Sequence, residues 1–292
     1  MKFTKMHGAG NDFVVLEAGN TQRDWSSLAL AMCDRHYGVG ADSLLVLLPS
    51  DIADFKMRTF DADGTEAEIC GNGIRCLARY VFEKGLISPE TDHLSLATIA
   101  GIRNIKLEKT AGKLSSIQVG MGKPALRADE IPVIVKQGDK DVVDINNMLA
   151  YPVDVNGARL LLNLVSMGNP HAVHFSDQPL ADFPLSKIGP LVEVLDIFPN
   201  RANFEVARVI SSNEIEVRVW ERGVGETLAC GTGACAVAVA AQLNGYVDHK
   251  VNIKLHGGTL KVIWEGTGEV SMNGPAEIVF TGEWPDESNK LE

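Results

Sequence analysis

Glu226-Thr227-Leu228-Ala229-Cys230-Gly231-Thr232-Gly233 repeats the pattern of Glu66-Ala67-Glu68-Ile69-Cys70-Gly71-Asn72-Gly73 at a distance of 160 positions (230 − 70). Both read Glu-x-x-x-Cys-Gly-polar-Gly. Each leads into a run with helical character, predicted over 71–84 and 231–243 and stopped by Gly85 and Gly245, since a glycine just past the last turn is a common helix stop. A second echo lies upstream. Gly10-Asn11 precedes the apolar Phe13-Val14-Val15, and Gly168-Asn169 precedes Ala172-Val173, the asparagines being 158 positions apart (169 − 11). Two landmarks at nearly one offset imply that half of the chain is duplicated.

Around these landmarks the chain reads mostly as strands. Asp12–Leu16, Ser43–Leu48, Phe55–Phe60, Ile102–Glu108, Ser116–Gly120, Ala172–Phe175, Glu205–Ile210, Glu214–Trp220, Val251–Leu255 and Leu260–Glu265 are rich in Val, Ile and Phe, and turn residues bound most of them. A third helix is predicted over Ser26–His36. Each half thus holds one sheet and one main helix, which gives two similar α+β domains. They are expected to cover 1–121 plus 275–292 and 122–274, with Gly120-Met121-Gly122-Lys123-Pro124 as the crossing, and a small-molecule site is expected in the cleft between them.

Composition narrows the function. A net charge of −11, from 38 acidic and 27 basic residues with no basic stripe, argues against nucleic acid as a partner. No apolar run is long enough to span a membrane, and the first ten residues lack a secretory pattern. Five cysteines in 292 residues fit reduced thiols in the cytoplasm better than a disulfide framework.

A cysteine at a helix start has a chemical meaning. The first turn carries unpaired N–H groups and the positive end of the helix dipole, which favour a thiolate and hold a nearby carboxylate. Flanking glycines let backbone approach a ligand. One such unit could serve a nucleophile. Two in equivalent halves fit inversion of a stereocentre, in which one sulfur removes a proton and the other delivers one to the opposite face. Read alone, each cysteine is a buried core residue, and that is the reading for Cys33, Cys76 and Cys235. The spacings Cys70-x5-Cys76 and Cys230-x4-Cys235 do not match structural zinc, so no metal is expected. A Cys–His hydrolase using His171, an isomerase using a carboxylate in place of paired thiols, and a non-catalytic amino-acid binder remain as alternatives.

The motifs Lys5-Met6-His7-Gly8-Ala9-Gly10-Asn11-Asp12-Phe13, Cys70-Gly71-Asn72-Gly73-Ile74-Arg75-Cys76, Ser166-Met167-Gly168-Asn169-Pro170-His171, Trp220-Glu221-Arg222-Gly223 and Cys230-Gly231-Thr232-Gly233-Ala234-Cys235 together resemble the diaminopimelate epimerase family, of the cofactor-independent amino-acid racemase superfamily. The resemblance spans nearly the whole chain. It implies epimerisation of LL- to meso-2,6-diaminopimelate, a step toward lysine and peptidoglycan, with no cofactor and in a homodimer. It implies two pseudo-symmetric domains, each a strongly curved sheet wrapped around a central helix, closing over the substrate. Cys70 and Cys230 match the catalytic pair. Gly71 with Asn72 and Gly231 with Thr232 match groups around the reacting carboxylate. Asn11, Asn169, Asn203, Glu221 and Arg222 match groups that hold the substrate, and His171 and Glu221 match residues that tune the thiols. In two places the chain departs from the family pattern. Asp61 stands where Asn is usual, at the distal end of the substrate, and Ser43 stands where Gln or Gly is frequent. A carboxylate at 61 keeps open a racemase of another polar amino acid.

Overall fold

The computed structural model describes residues 1–67, 70–135 and 142–285. Glu68, Ile69 and the last residues of the expected first domain, 286–292, lie outside them. The chain divides into two compact units, one built from residues 1–119 and the stretch from Gly274 onward, the other from Gly120–Asn273.

The first unit contains β1 (Lys2–Gly8), β2 (Asn11–Glu17), α1 (Trp25–Cys33), β3 (Ser43–Leu48), β4 (Phe55–Asp61), β5 (Glu66–Ala67), α2 (Gly71–Glu83), β6 (His93–Thr98), β7 (Gly101–Thr110) and β8 (Lys113–Gly120). The second contains β9 (Val143–Ile145), β10 (Met148–Val155), β11 (Ala158–Ser166), β12 (Pro170–Phe175), α3 (Leu185–Glu193), β13 (Asn203–Ser211), β14 (Glu214–Glu221), β15 (Gly225–Thr227), α4 (Gly231–Leu243), β16 (Lys250–Leu255), β17 (Gly258–Ile263) and β18 (Ser271–Asn273). β19 (Glu277–Glu283) returns to the first unit.

Pairing within each unit follows one scheme. In the first, β19 and β2 flank β1 in antiparallel fashion, β2 runs parallel to β3, β3 antiparallel to β4, and β4 parallel to β6, which continues into β7 and β8. In the second, β10 and β12 flank β11, β12 runs parallel to β13, β13 antiparallel to β14, and β14 parallel to β16, which continues into β17 and β18. The short β5 and β15 occupy the same place, against β4 and β14. Each unit is therefore an α+β mixed sheet with its parallel joints in equivalent positions.

Strands alternate their side chains between faces, and here both faces are covered. Val14, Leu16, Leu44 and Val46 pack with Trp25, Leu28 and Met32 of α1, whereas Leu45 lies against Gly73 of α2. In the second unit Phe204 and Val206 pack with Leu185, Ile188 and Val192 of α3, and Glu205 lies against Gly233 of α4. Coverage on both sides explains why these strands are almost continuously apolar. α4 is buried without a break from Gly233 to Ala241, as expected of a helix that is apolar all round.

Both main helices end alike. Gly85 and Gly245 take left-handed φ values of 67° and 75°, and the N–H groups of Leu86 and Tyr246 return to the carbonyls of Val81 and Ala241, the glycine-terminated cap the sequence predicts. Two helices differ from expectation. α1 ends at Cys33 because Asp34 leaves helical geometry and its carboxylate takes the N–H groups of His36 and Tyr37. α3 has no counterpart in the sequence reading. It holds Pro190 in its interior, and an internal proline normally argues against a helix.

Candidate active site

Cys70 is the N-cap of α2. Its backbone is extended (φ −138°, ψ 104°), and its sulfur accepts the N–H of Gly73 at 3.4 Å. Cys230 caps α4 in the same way, at φ −116°, ψ 117°, with the Gly73 role played by Gly233, also at 3.4 Å. Ser, Thr, Asp or Asn usually fills this position because its oxygen takes an orphan N–H of the first turn. Here sulfur does so, which fixes each thiol at the positive end of a helix.

In the first unit, Cys70 Sγ lies 3.6 Å from Asn11 Oδ1, and Asn72 Nδ2 donates to that same oxygen at 3.3 Å. Asn11 in turn donates to Asp42 at 2.8 Å. Asn72 is held from behind by Arg75, a fully buried cation that donates to Asn72 Oδ1 at 2.6 Å and to the carbonyl of Gly71 at 3.3 Å. Ser43 donates to Asp61 at 2.9 Å, so the two departures from the family pattern touch each other. Burial pushes the Asp61 carboxyl above its usual range, and the Ser43 hydroxyl opposes this.

In the second unit, Cys230 Sγ lies 3.4 Å from Thr232 Oγ1. Asn169 Nδ2 donates to that hydroxyl at 3.4 Å, and Asn169 Oδ1 lies 3.0 Å from His171 Nε2. Asn203 donates to the carbonyl of Pro170 and accepts the backbone N–H of Arg222, both at 3.0 Å. The exposed Arg222 guanidinium donates to the carbonyl of Asn200 at 3.1 Å. Glu221 accepts a very short hydrogen bond from Thr227 and also meets Cys230.

The ionisation of Cys230 departs from the sequence expectation. A helix start was expected to favour thiolate, and the Gly233 amide and Thr232 do act in that direction. Burial pushes the thiol up, Glu221 and Glu205 add to it, and the net direction is well above the ordinary thiol range. Burial likewise raises the Glu221 carboxyl. Cys33 and Cys76 are buried and their thiols pushed up, Cys33 to about 12. Those two and Cys235 are buried core residues. Among the described residues no cluster of three His, Cys, Asp or Glu side chains is placed to hold a metal, and no helix is long and apolar enough to cross a membrane.

Two residues show their role only in the structure. Glu205 is fully buried 2.7 Å from His171 Nδ1; its signal was a lone acid inside the apolar run Phe204-Glu205-Val206. Arg75 was the other, a cation on the apolar side of α2. The second glycine of each motif also has a packing use. A Cβ on Gly233 would sit 2.6 Å from Glu205 Oε1, and one on Gly73 would sit 3.0 Å from Leu45 Cδ2. Each glycine gives room to the strand beneath.

A family model described as diaminopimelate epimerase matches residues 3–127 and 163–279. A diaminopimelate epimerase of Pelotomaculum thermopropionicum is 45% identical over 288 residues, 98% of this chain and 99% of that protein. One of Methanococcus maripaludis is 45% identical over 285 residues, 97% of this chain and 99% of that protein. Among solved structures, a phenazine biosynthesis protein of the PhzF family from Bacillus anthracis aligns over 98% of this chain and 99% of its own, with a TM-score of 0.71 at 18% identity. A hydroxyproline epimerase from Agrobacterium vitis aligns over 97% of this chain and 91% of its own, with a TM-score of 0.71 at 16% identity. At such identities the structural likeness shows a shared fold.

Proposed function

The chain belongs to the diaminopimelate epimerase family, and from that premise we propose that it interconverts LL- and meso-2,6-diaminopimelate by moving protons at one α-carbon. The single observation that carries the mechanism is the pair of equivalent cysteine N-caps. In one direction the Cys70 thiolate removes the α-proton and the Cys230 thiol delivers its own to the opposite face; in the reverse direction the roles exchange. The raised Cys230 thiol suits the delivering role. First-turn amides at Gly71–Asn72 and Gly231–Thr232 receive the α-carboxylate and stabilise the charge that builds as the proton leaves. Asn11, Asn169 and Asn203 orient the substrate, Arg222 takes the distal carboxylate, and Glu221 and His171 tune the thiols. The step needs no cofactor. We place the enzyme in the cytoplasm as a homodimer without a nucleic-acid partner, supplying precursors of lysine and peptidoglycan.

The contact between Asp61 and Ser43 favours a second reading, a racemase for a polar amino acid that lacks a distal carboxylate, because an ionised Asp61 repels such a group. A panel of polar amino acids and both diaminopimelate isomers, followed by chiral chromatography, separates the two. The proposal expects diaminopimelate to turn over faster than any other member by about 100-fold or more. Faster turnover of another amino acid overturns it.

A further inference from the structure

Glu205 is the third residue of β13 and pairs in register with Val173, two residues past His171. Glu205 and His171 are both fully buried, and 2.7 Å separates Oε1 from Nδ1. The second carboxylate oxygen has no hydrogen-bond partner among the described residues. A charge in such a place persists only with a partner, and the chain makes room for it by having no Cβ at Gly233.

From this pair a line of contacts runs to the sulfur. His171 Nε2 lies 3.0 Å from Asn169 Oδ1, Asn169 Nδ2 lies 3.4 Å from Thr232 Oγ1, and Thr232 Oγ1 lies 3.4 Å from Cys230 Sγ. Both ring nitrogens of His171 face oxygen acceptors. The ring serves both only when it carries both protons, and the Glu205 carboxylate balances the resulting charge. With Oδ1 committed to the ring, the Asn169 amide group points at Thr232. That hydroxyl accepts from Asn169, which leaves its own proton to point at Cys230.

We propose that Glu205 is a positioning residue for Cys230, acting through His171, Asn169 and Thr232 to aim a hydroxyl proton at the sulfur. The inference rests on the epimerase reading above. When the Cys230 S–H bond breaks and its proton passes to the substrate carbanion, the electron pair stays on sulfur, and the Thr232 hydroxyl is already oriented to donate to that thiolate. Glu205 itself neither gains nor loses a proton. Among the described residues, the ionisable groups that act on Cys230 include Glu221 from the end of β14 and Glu205 from β13, and His171 from β12 acts on both carboxylates. Among the described residues near Cys70, the positions matching Glu205 and His171 are held by Leu45 and Phe13, which cannot form this line.

Nitrogen-15 NMR of the full-length protein with labelled histidine reads the ring directly. In the wild type both ring nitrogens of His171 should carry a proton, and Glu205→Gln should reduce the ring to one. The same variant should lower kcat by about 10- to 100-fold with KM within about twofold, and Glu205→Gln added to Thr232→Val should lower kcat no further than Thr232→Val does alone. A singly protonated His171 in the wild type overturns the proposal even where Glu205→Gln does not fold. So does an unchanged ring in a folded Glu205→Gln, or strict additivity in the double variant. Absence of epimerisation by the wild type would instead remove the proposed function, while the ring spectrum would still report on the contact.

Discussion

The starts of α2 and α4 are copies in their backbone and differ beneath it. Each is capped by a cysteine sulfur at 3.4 Å from the second glycine's N–H, and each runs into a glycine-terminated helix of 13 residues. Under α2 lie Leu45 and Phe13, both fully buried, and the charge near the cap comes from the helix itself as Arg75. Under α4 the matching positions are Glu205 and His171, and the position of Arg75 is held by Cys235. Duplication kept the hydrogen bonds that hold a sulfur at a helix start and changed the charges around it. The sulfurs also differ in exposure, since Cys70 is half-buried and Cys230 is 6% exposed. In either direction of the proposed reaction one sulfur holds its proton while the other lacks one, and reversing the direction exchanges the two states.

Exchanging the residues beneath the two helices should have the largest effect. Leu45→Glu places a carboxylate beneath α2 with Phe13 in place of a histidine, and an unpaired buried charge of this kind is expected to cost about 3–5 kcal/mol in urea unfolding. A loss below about 1 kcal/mol would show that the first unit tolerates charge there as the second does.

The glycines give a smaller and more pointed contrast. Gly233→Ala drives a Cβ to 2.6 Å from a carboxylate pinned by His171 and is expected to lower stability by about 1–3 kcal/mol. Gly73→Ala meets a leucine methyl at 3.0 Å; a small shift of Leu45 relieves it and the helix gains from alanine, so a change under about 1 kcal/mol is expected. Thermal unfolding of both variants checks the order, and a larger loss for Gly73→Ala would reverse the argument.

Where the units agree, their variants should agree too. Arg58 pairs with Glu66 at 2.6 Å, and Arg218 with Glu226 at 2.8 Å, at the same offset of 160 (218 − 58). Removing either glutamate as alanine should cost about 0.2–1 kcal/mol, as for other partly exposed pairs. Arg58 lowers the Glu66 carboxyl below its ordinary 4.5. Its contribution is therefore present above that pH and lost on acidification, so the difference between wild type and Glu66→Ala should shrink as urea titrations move from pH 7 to pH 3.

Much of this was legible in the chain. The cysteine motifs, the asparagine echo and the glycine stops are local signals, and each fixes a piece of backbone wherever the rest of the protein lies. Asn11 and Asn169 beside the two caps follow from the repeat alone. What escaped depended on tertiary context. α3 carries Pro190 and reads as a break, yet packing of Leu185, Ile188 and Val192 against the sheet holds it. Glu205 stands in sequence as a lone acid in an apolar run, and only the fold shows that both faces of β13 are covered around it. The direction of the Cys230 shift depends on tertiary context in the same way. The helix start is visible in sequence, whereas the burial and the two carboxylates that outweigh it are not.

In the proposed reaction Cys70 and Cys230 serve a single carbon, and solvent deuterium reads this at the carbon itself. Cys70→Ala and Cys230→Ala, incubated separately with LL- and meso-diaminopimelate in deuterated buffer, should each lose epimerisation by about 1,000-fold or more while remaining folded. Undiminished epimerisation with α-deuterium uptake in either variant would contradict it.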